Sequence, residues 1–364
     1  VYKRRAFLGS LVATALVPRA IPAFAQTPVA SPALDRAAAI DALLDDPSVD
    51  VPFSGAALIV DQGEVVLDAA YGLANGTDRE RNTTGTAFQI ASITKTIAAT
   101  LILQLRDEAA FDLDDSASDF IPQFAAQLDS GATPVTIRQL LNHTSGVPDF
   151  LEVFDPFDID SYPSTLDQLL DGVAEVPLLF DPGEGWHYSN TGYLYLGRIT
   201  EAVTGTTWEE RLNERIIRPL GLRRTWLTEP GTPGALATGY LPIGGFVLPV
   251  SRFGRPDLAE AAGGLTSTTH DVLAWLDAFM AGEVVSAETV SEMLDPGEYG
   301  YGLGWEIIGT ETDRWSGHFG QTIGFRTAMF RHHGADRSIV LLSNRQDHPI
   351  ESTVNAIRDL LTGA

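Results

Sequence analysis

The chain has 364 residues, 44% hydrophobic and 20% charged, a balance typical of globular proteins and long enough for one large or two smaller domains. Its 48 acidic and 24 basic residues give a net charge of −24, which argues against nucleic acid and anionic membranes as partners, since both demand basic surface. With no cysteine, disulfides, thiolate metal sites, a lipidated cysteine anchor and a cysteine nucleophile are all excluded.

Residues 1–25 read as an export signal outside the fold. Lys3-Arg4-Arg5 precedes an apolar run over residues 6–17, too short to cross a bilayer of about 30 Å as a helix. Ala23-Phe24-Ala25 supplies a small-x-small cleavage pattern. The Arg-Arg-x-Phe-Leu order resembles a twin-arginine signal, a receptor-read address rather than an anchor. The expectation is an exported protein, periplasmic or extracellular, with no stable membrane insertion after cleavage. Residues 26–33 form a Pro/Ala linker.

Leu34, Ala38, Leu43 and Leu44 sit near helical spacing and predict a helix over 34–45. Two apolar runs, 55–61 and 64–71, are joined by Gln62-Gly63 and predict a β-hairpin. A short strand over 86–90 leads into 92–107, a run rich in Ala, Leu and Ile without Gly or Pro, which predicts a buried helix. Helical pieces follow at 137–142, 166–174 and 193–203, among Pro- and Asp-rich loops. Thr268, with Asp271 as a reciprocal acid, suits the cap of a helix over 270–280. Strand-like runs at 302–308, 322–330 and 338–342 precede a last helix over 350–361. The pattern predicts an α+β (α/β) fold: an antiparallel β-sheet from 34–105 and 205–364, flanked by N- and C-terminal helices, with an all-helical subdomain inserted over 106–204.

The chemistry starts from a compositional oddity. Lysine occurs at positions 3 and 95, against 22 arginines, so removal of the signal leaves Lys95 alone. Ser92 stands three residues before it, and on a helix such a pair shares one face. A serine hydroxyl is a weak nucleophile until a base takes its proton. A lysine amine does so when burial depresses its pKa; an arginine never deprotonates in a protein. Ser92 would also open the helix, leaving its own N–H free to meet an oxyanion.

Two further segments complete a pattern. Tyr188-Ser189-Asn190 follows a Pro182-Gly183 turn and precedes a helix, and His318-Phe319-Gly320 precedes the strand expected near Thr322. Flanking them are Leu141-Asn142-His143-Thr144-Ser145-Gly146, Gly263-Gly264-Leu265-Thr266-Ser267-Thr268 and Tyr301-Gly302-Leu303-Gly304-Trp305. On these motifs, in this order, the sequence resembles the serine β-lactamase, D-alanyl-D-alanine carboxypeptidase and esterase superfamily, closest to the class C type, over residues 35–362. The resemblance implies a β-lactamase/transpeptidase-like fold and an acyl-enzyme on Ser92, with Lys95 accepting or holding the serine proton. It further implies Tyr188, with a lowered pKa, as general base and then acid toward the leaving group. Asn190 would bind the substrate amide and steady Lys95. The N–H groups of Ser92 and Gln321 would form the oxyanion hole, with His318 and Gly320 beside the substrate. No cofactor or metal is implied; the partner is a small-molecule or peptide acyl donor, possibly a cell-wall peptide.

His318 and Phe319 depart from the Lys-hydroxyl-Gly form of the third motif. Histidine is only partly charged at neutral pH and phenylalanine cannot bond a substrate carboxylate, which weakens the case for a β-lactam or a free C-terminal D-alanine. Adjacent His332 and His333 would point to opposite faces of a strand and cannot share one metal. Neither a His-Glu-x-x-His motif nor a Gly-x-Ser-x-Gly elbow is present. The expected function is a secreted serine acyl-hydrolase acting on an ester, amide or D-amino peptide. The rivals are a true β-lactamase or D,D-carboxypeptidase, and a catalytically silent cell-wall binding or sensing module, which would be expected to lack Ser92, Lys95 or Tyr188.

Overall fold

The computed structural model describes residues 32–46, 48–155, 158, 162–228, 236–244, 246–250 and 255–363. The expected signal and all but the end of the linker lie outside the described residues. In chain order the principal elements are α1 (Pro32–Leu44), β1 (Gly55–Asp61), β2 (Glu64–Tyr71), α2 (Thr94–Asp107), α3 (Ile137–Leu141), α4 (Leu166–Ala174) and α5 (Asn190–Thr204). They continue with α6 (Thr269–Met280), β3 (Glu306–Gly309), β4 (Arg314–Thr322), β5 (Phe325–His332), β6 (Ser338–Ser343) and α7 (Ile350–Thr362).

A six-stranded sheet in the order β3-β4-β5-β6-β1-β2 forms the frame, with every neighbour antiparallel. β1 pairs with β6 through Gly55↔Ser343 to Val60↔Ser338, so strands from the two ends of the fold meet in mid-sheet. Both strands are buried along their whole length, because each face of the sheet is covered. Alternation sorts their side chains. Ala57, Ile59, Ile339 and Leu341 pack with Ile40 of α1 and Val354 and Ile357 of α7. Ala56, Leu58, Val340 and Leu342 join the larger core that holds α2 and α6. The two terminal helices expected from the sequence thus cover one face, and α6 packs on the other against β1 and β6.

Between the sheet and the helical region runs α2, in which every residue from Thr94 to Leu105 is buried. Its buried polar side chains are satisfied inside the protein: Thr96 and Thr100 donate to backbone carbonyls of Ile93 and Thr96, and Gln104 donates to Val284 O. Its start is pinned by a small sheet of Phe88–Gln89, Leu265–Ser267 and Trp226–Leu227, and by the Ile90 N–H donating to Leu265 O at 2.9 Å.

The strand expectations need correction around the third motif. One strand expected over 322–330 is in fact a hairpin: β4 ends at Thr322, Gly324 turns with φ +88°, and β5 begins at Phe325. His318-Phe319-Gly320 therefore lies within a strand rather than ahead of one. The run expected over 302–308 becomes strand only from Glu306, because Gly304 (φ +84°) turns the chain against α2. At α6, Thr268 caps the Asp271 N–H as expected, but the Asp271 carboxylate turns to Arg224 N and Thr225 Oγ1 instead of closing the box.

Candidate active site

Ser92 sits in a single 3-10 turn, Ala91–Ile93, directly before α2. Ala91 holds φ +49°, a left-handed conformation that non-glycine residues adopt only where the surroundings enforce it. The strain turns the chain sharply from Phe88–Gln89 into α2, and leaves Ser92 partly exposed while its neighbours are buried.

Lys95, one turn along, has no exposed surface. Its Nζ lies 2.7 Å from Asn190 Oδ1, 2.5 Å from the Ala262 carbonyl oxygen and 3.1 Å from Ser92 Oγ. Burial lowers its pKa to about 7, against the opposing charges of Asp149 and Glu306. Nζ donates to Asn190 Oδ1, the Ala262 carbonyl and Ser92 Oγ, and once deprotonated it keeps donors for the first two and turns a lone pair to the Ser92 proton.

Tyr188 donates its hydroxyl to Ser92 Oγ at 2.8 Å, with its ring 4.3 Å from that of His143 and 4.9 Å from Lys95 Nζ. Burial pushes the Tyr188 pKa well above 10, with Glu306 and Asp149 pushing the same way against the Ser92 hydrogen bond, a direction opposite to the lowered pKa that the resemblance implies. Asn190 is fixed at both ends of its amide: Oδ1 accepts from Lys95, and Nδ2 donates to Asp149 Oδ2 at 2.6 Å. It steadies Lys95, and its second N–H and second lone pair stay available to a substrate amide.

The third motif divides between the two faces of β4. His318 points inward and is 1% exposed. Its Nδ1 lies 2.5 Å from Phe319 O and 3.1 Å from Glu306 Oε1, which leaves Nε2 to accept the Tyr301 hydroxyl at 2.9 Å. Burial and the nearby Lys95 push its pKa down to about 3, so it is neutral rather than partly charged, and both nitrogens are engaged within the protein. Phe319 points to the opposite side and packs on Phe330, 4.7 Å away, so it does not face the substrate side at all. Gly320 is required by space: a Cβ there would meet Thr327 Oγ1 at 2.1 Å and Ile90 O at 2.4 Å. Gln321 is exposed at the end of β4.

Several shell residues escaped the sequence reading. Asp149 orients Asn190, Ala262 binds Lys95, His143 takes the Ser189 N–H on Nδ1, Tyr301 holds His318, and Glu306 accepts the Phe319 N–H at 3.2 Å. Their signal lay in the flanking segments, since His143 and Tyr301 belong to two of them and Ala262 and Glu306 each adjoin one. Trp186, 37% exposed, forms an apolar wall near Tyr188 and Tyr301. Among the described residues no group of three His, Asp or Glu is placed to hold a metal, and no helix is long and apolar enough to cross a membrane.

An antiparallel sheet backed by a buried helix that brings serine and lysine together defines a serine hydrolase of the β-lactamase/transpeptidase fold. The chain belongs to the Beta-lactamase family, whose sequence model matches residues 41–364. It is 28% identical over 319 residues to penicillin-binding protein 4* of Bacillus subtilis (strain 168), covering 81% of this chain and 69% of that one. To Esterase EstB of Burkholderia gladioli it is 33% identical over 204 residues, 52% of this chain and about half of that one, at 51%. The crystal structure of D-amino acid amidase from Ochrobactrum anthropi SV3, complexed with D-phenylalanine, superposes with a TM-score of 0.77 at 26% identity, covering 90% of this chain and 99% of that one.

Proposed function

We propose that the protein hydrolyses an ester or amide through an acyl-enzyme on Ser92. The observation that carries this reading is a buried lysine amine, with pKa lowered to about 7, placed 3.1 Å from Ser92 Oγ while its other contacts are acceptors. Neutral Lys95 takes the Ser92 proton as Oγ attacks the acyl carbon. The oxyanion meets the N–H groups of Ser92 and Gln321. Tyr188 gives its proton to the leaving group and recovers one from the Lys95 ammonium. Water then attacks the ester, and the same groups run in reverse.

The donor class follows from the third motif. His318 offers the substrate neither charge nor a free nitrogen, so nothing in that triplet anchors a carboxylate. A neutral ester or a D-amino amide ranks above a β-lactam or a peptide ending in free D-alanine. The names of the esterase and amidase relatives support the same order. Ser92, Lys95 and Tyr188 form one hydrogen-bonded cluster, which weighs against a silent binding module. The basic, apolar and small-residue sections of residues 1–25 support export, with the chemistry taking place outside the cytoplasm.

The purified protein should be assayed with a short-chain p-nitrophenyl ester, a D-amino acid amide and a chromogenic cephalosporin, beside Ser92→Ala. Ester or amide turnover is expected to exceed that of the cephalosporin and to fall at least about a thousandfold in Ser92→Ala. Activity surviving that substitution would remove the nucleophile assignment.

A further inference from the structure

Glu306 opens β3, the edge strand, and the β3–β4 ladder stops at its pairing with Gly317. Beyond that point β4 has no strand partner on this side among the described residues. In an antiparallel strand, backbone groups alternate between the two sides. The Phe319 N–H points to the open side, where Glu306 Oε1 accepts it at 3.2 Å. Two residues further, the Gln321 N–H must leave from the same open side. The carboxylate is itself held in place: its oxygen lies 3.1 Å from His318 Nδ1, and the His318 ring is fixed in turn by Tyr301.

We propose that Glu306 is a positioning residue of this active site, its carboxylate taking the place of the missing strand beside Phe319 and so fixing the edge from which the Gln321 N–H meets the oxyanion. The proposal rests on the acyl-enzyme reading above. The charged and titratable groups around Glu306 are His318 on β4, Lys95 on α2, Glu351 on α7, and Tyr188 and Tyr301. Burial raises the pKa of Glu306 to about 7, so it shares its titration range with Lys95.

Two variants of the full chain test this. Glu306→Ala removes the acceptor. With the p-nitrophenyl ester, kcat is expected to fall about tenfold to a hundredfold with KM within about threefold, because a loosened oxyanion donor acts on the transition state. Hydrogen exchange at the Phe319 amide should accelerate at least about tenfold. Glu306→Gln keeps an acceptor oxygen, so it should restore the Phe319 protection and most of kcat. It should also move the acid limb of kcat/KM to lower pH, because a negative charge near Lys95 is gone.

The proposal is overturned if Glu306→Ala leaves kcat and Phe319 exchange at parental values. It is equally overturned if both variants lose activity alike while Phe319 stays protected. Ser92→Ala in the same assay judges the nucleophile, whereas Phe319 exchange judges Glu306 whether or not Ser92 proves to be that nucleophile.

Discussion

Lys95 has two carbonyl oxygens and a serine hydroxyl around its amine, and no carboxylate in direct contact. Burial therefore outweighs the more distant pull of Asp149 and Glu306. A base of this kind works only when unprotonated, so kcat/KM for a neutral ester should rise through an acid limb near pH 7, falling about tenfold per unit below it. A profile from pH 5 to 10 checks this; a limb near the ordinary lysine pKa would contradict it. Lys95→Arg should hold activity at least about a thousandfold below the parent at every pH, since a guanidinium never supplies the lone pair. At this scale Ser92 and Lys95 were legible from spacing and residue type, and Tyr188 and Asn190 from the motifs that carry the family resemblance. The raised pKa of Tyr188 was not, because desolvation comes from residues distant in the chain, among them His143 and Tyr301.

Among the elements, helices and the first hairpin were the easy reading: Leu166–Ala174, Gly55–Asp61 and Glu64–Tyr71 were located to the residue. β4 was not seen. Its sequence, RWSGHFGQT, carries two glycines and little β-branched character, so local propensity speaks against a strand. The glycines answer a tertiary demand instead, since a Cβ at Gly317 would meet Met329 O at 1.8 Å and one at Gly320 would strike Thr327 and Ile90. Gly320→Ala should push β4 away from the turn that carries Ser92. The expected outcome is a kcat/KM loss of about tenfold to a hundredfold, with a melting temperature lower by several degrees. Gln321→Ala, which keeps the backbone N–H, should stay within about threefold of the parent. Steady-state kinetics on the pair, beside thermal melts, separates a displaced strand from a lost side chain.

For the molecule as a whole, charge acts against compactness. With twice as many acids as bases, repulsion is spread over the surface, while pairs such as Arg106–Glu292 and Arg138–Glu292 relieve it only locally. Raising NaCl from about 10 mM to about 500 mM shortens the screening length from about 30 Å to a few ångströms. Surface pairs of this kind are each worth at most about 1 kcal/mol, so the repulsion should dominate and the melting temperature should rise with salt. Calorimetry at both concentrations decides it, and a lower melting temperature in high salt would show that the ion pairs win. The architecture at this scale was legible from element order, but the layer that α6 adds to the sheet was not, because contact between sheet and helix leaves no local trace. The enclosure of Lys95 has one more consequence, for reagents. Among the described residues it is the only lysine, and the chain has no thiol. An acylating or phosphonylating agent in solution therefore finds no cysteine and no open lysine amine among the described residues, and Ser92 Oγ, the proposed nucleophile, becomes a natural label for counting intact sites.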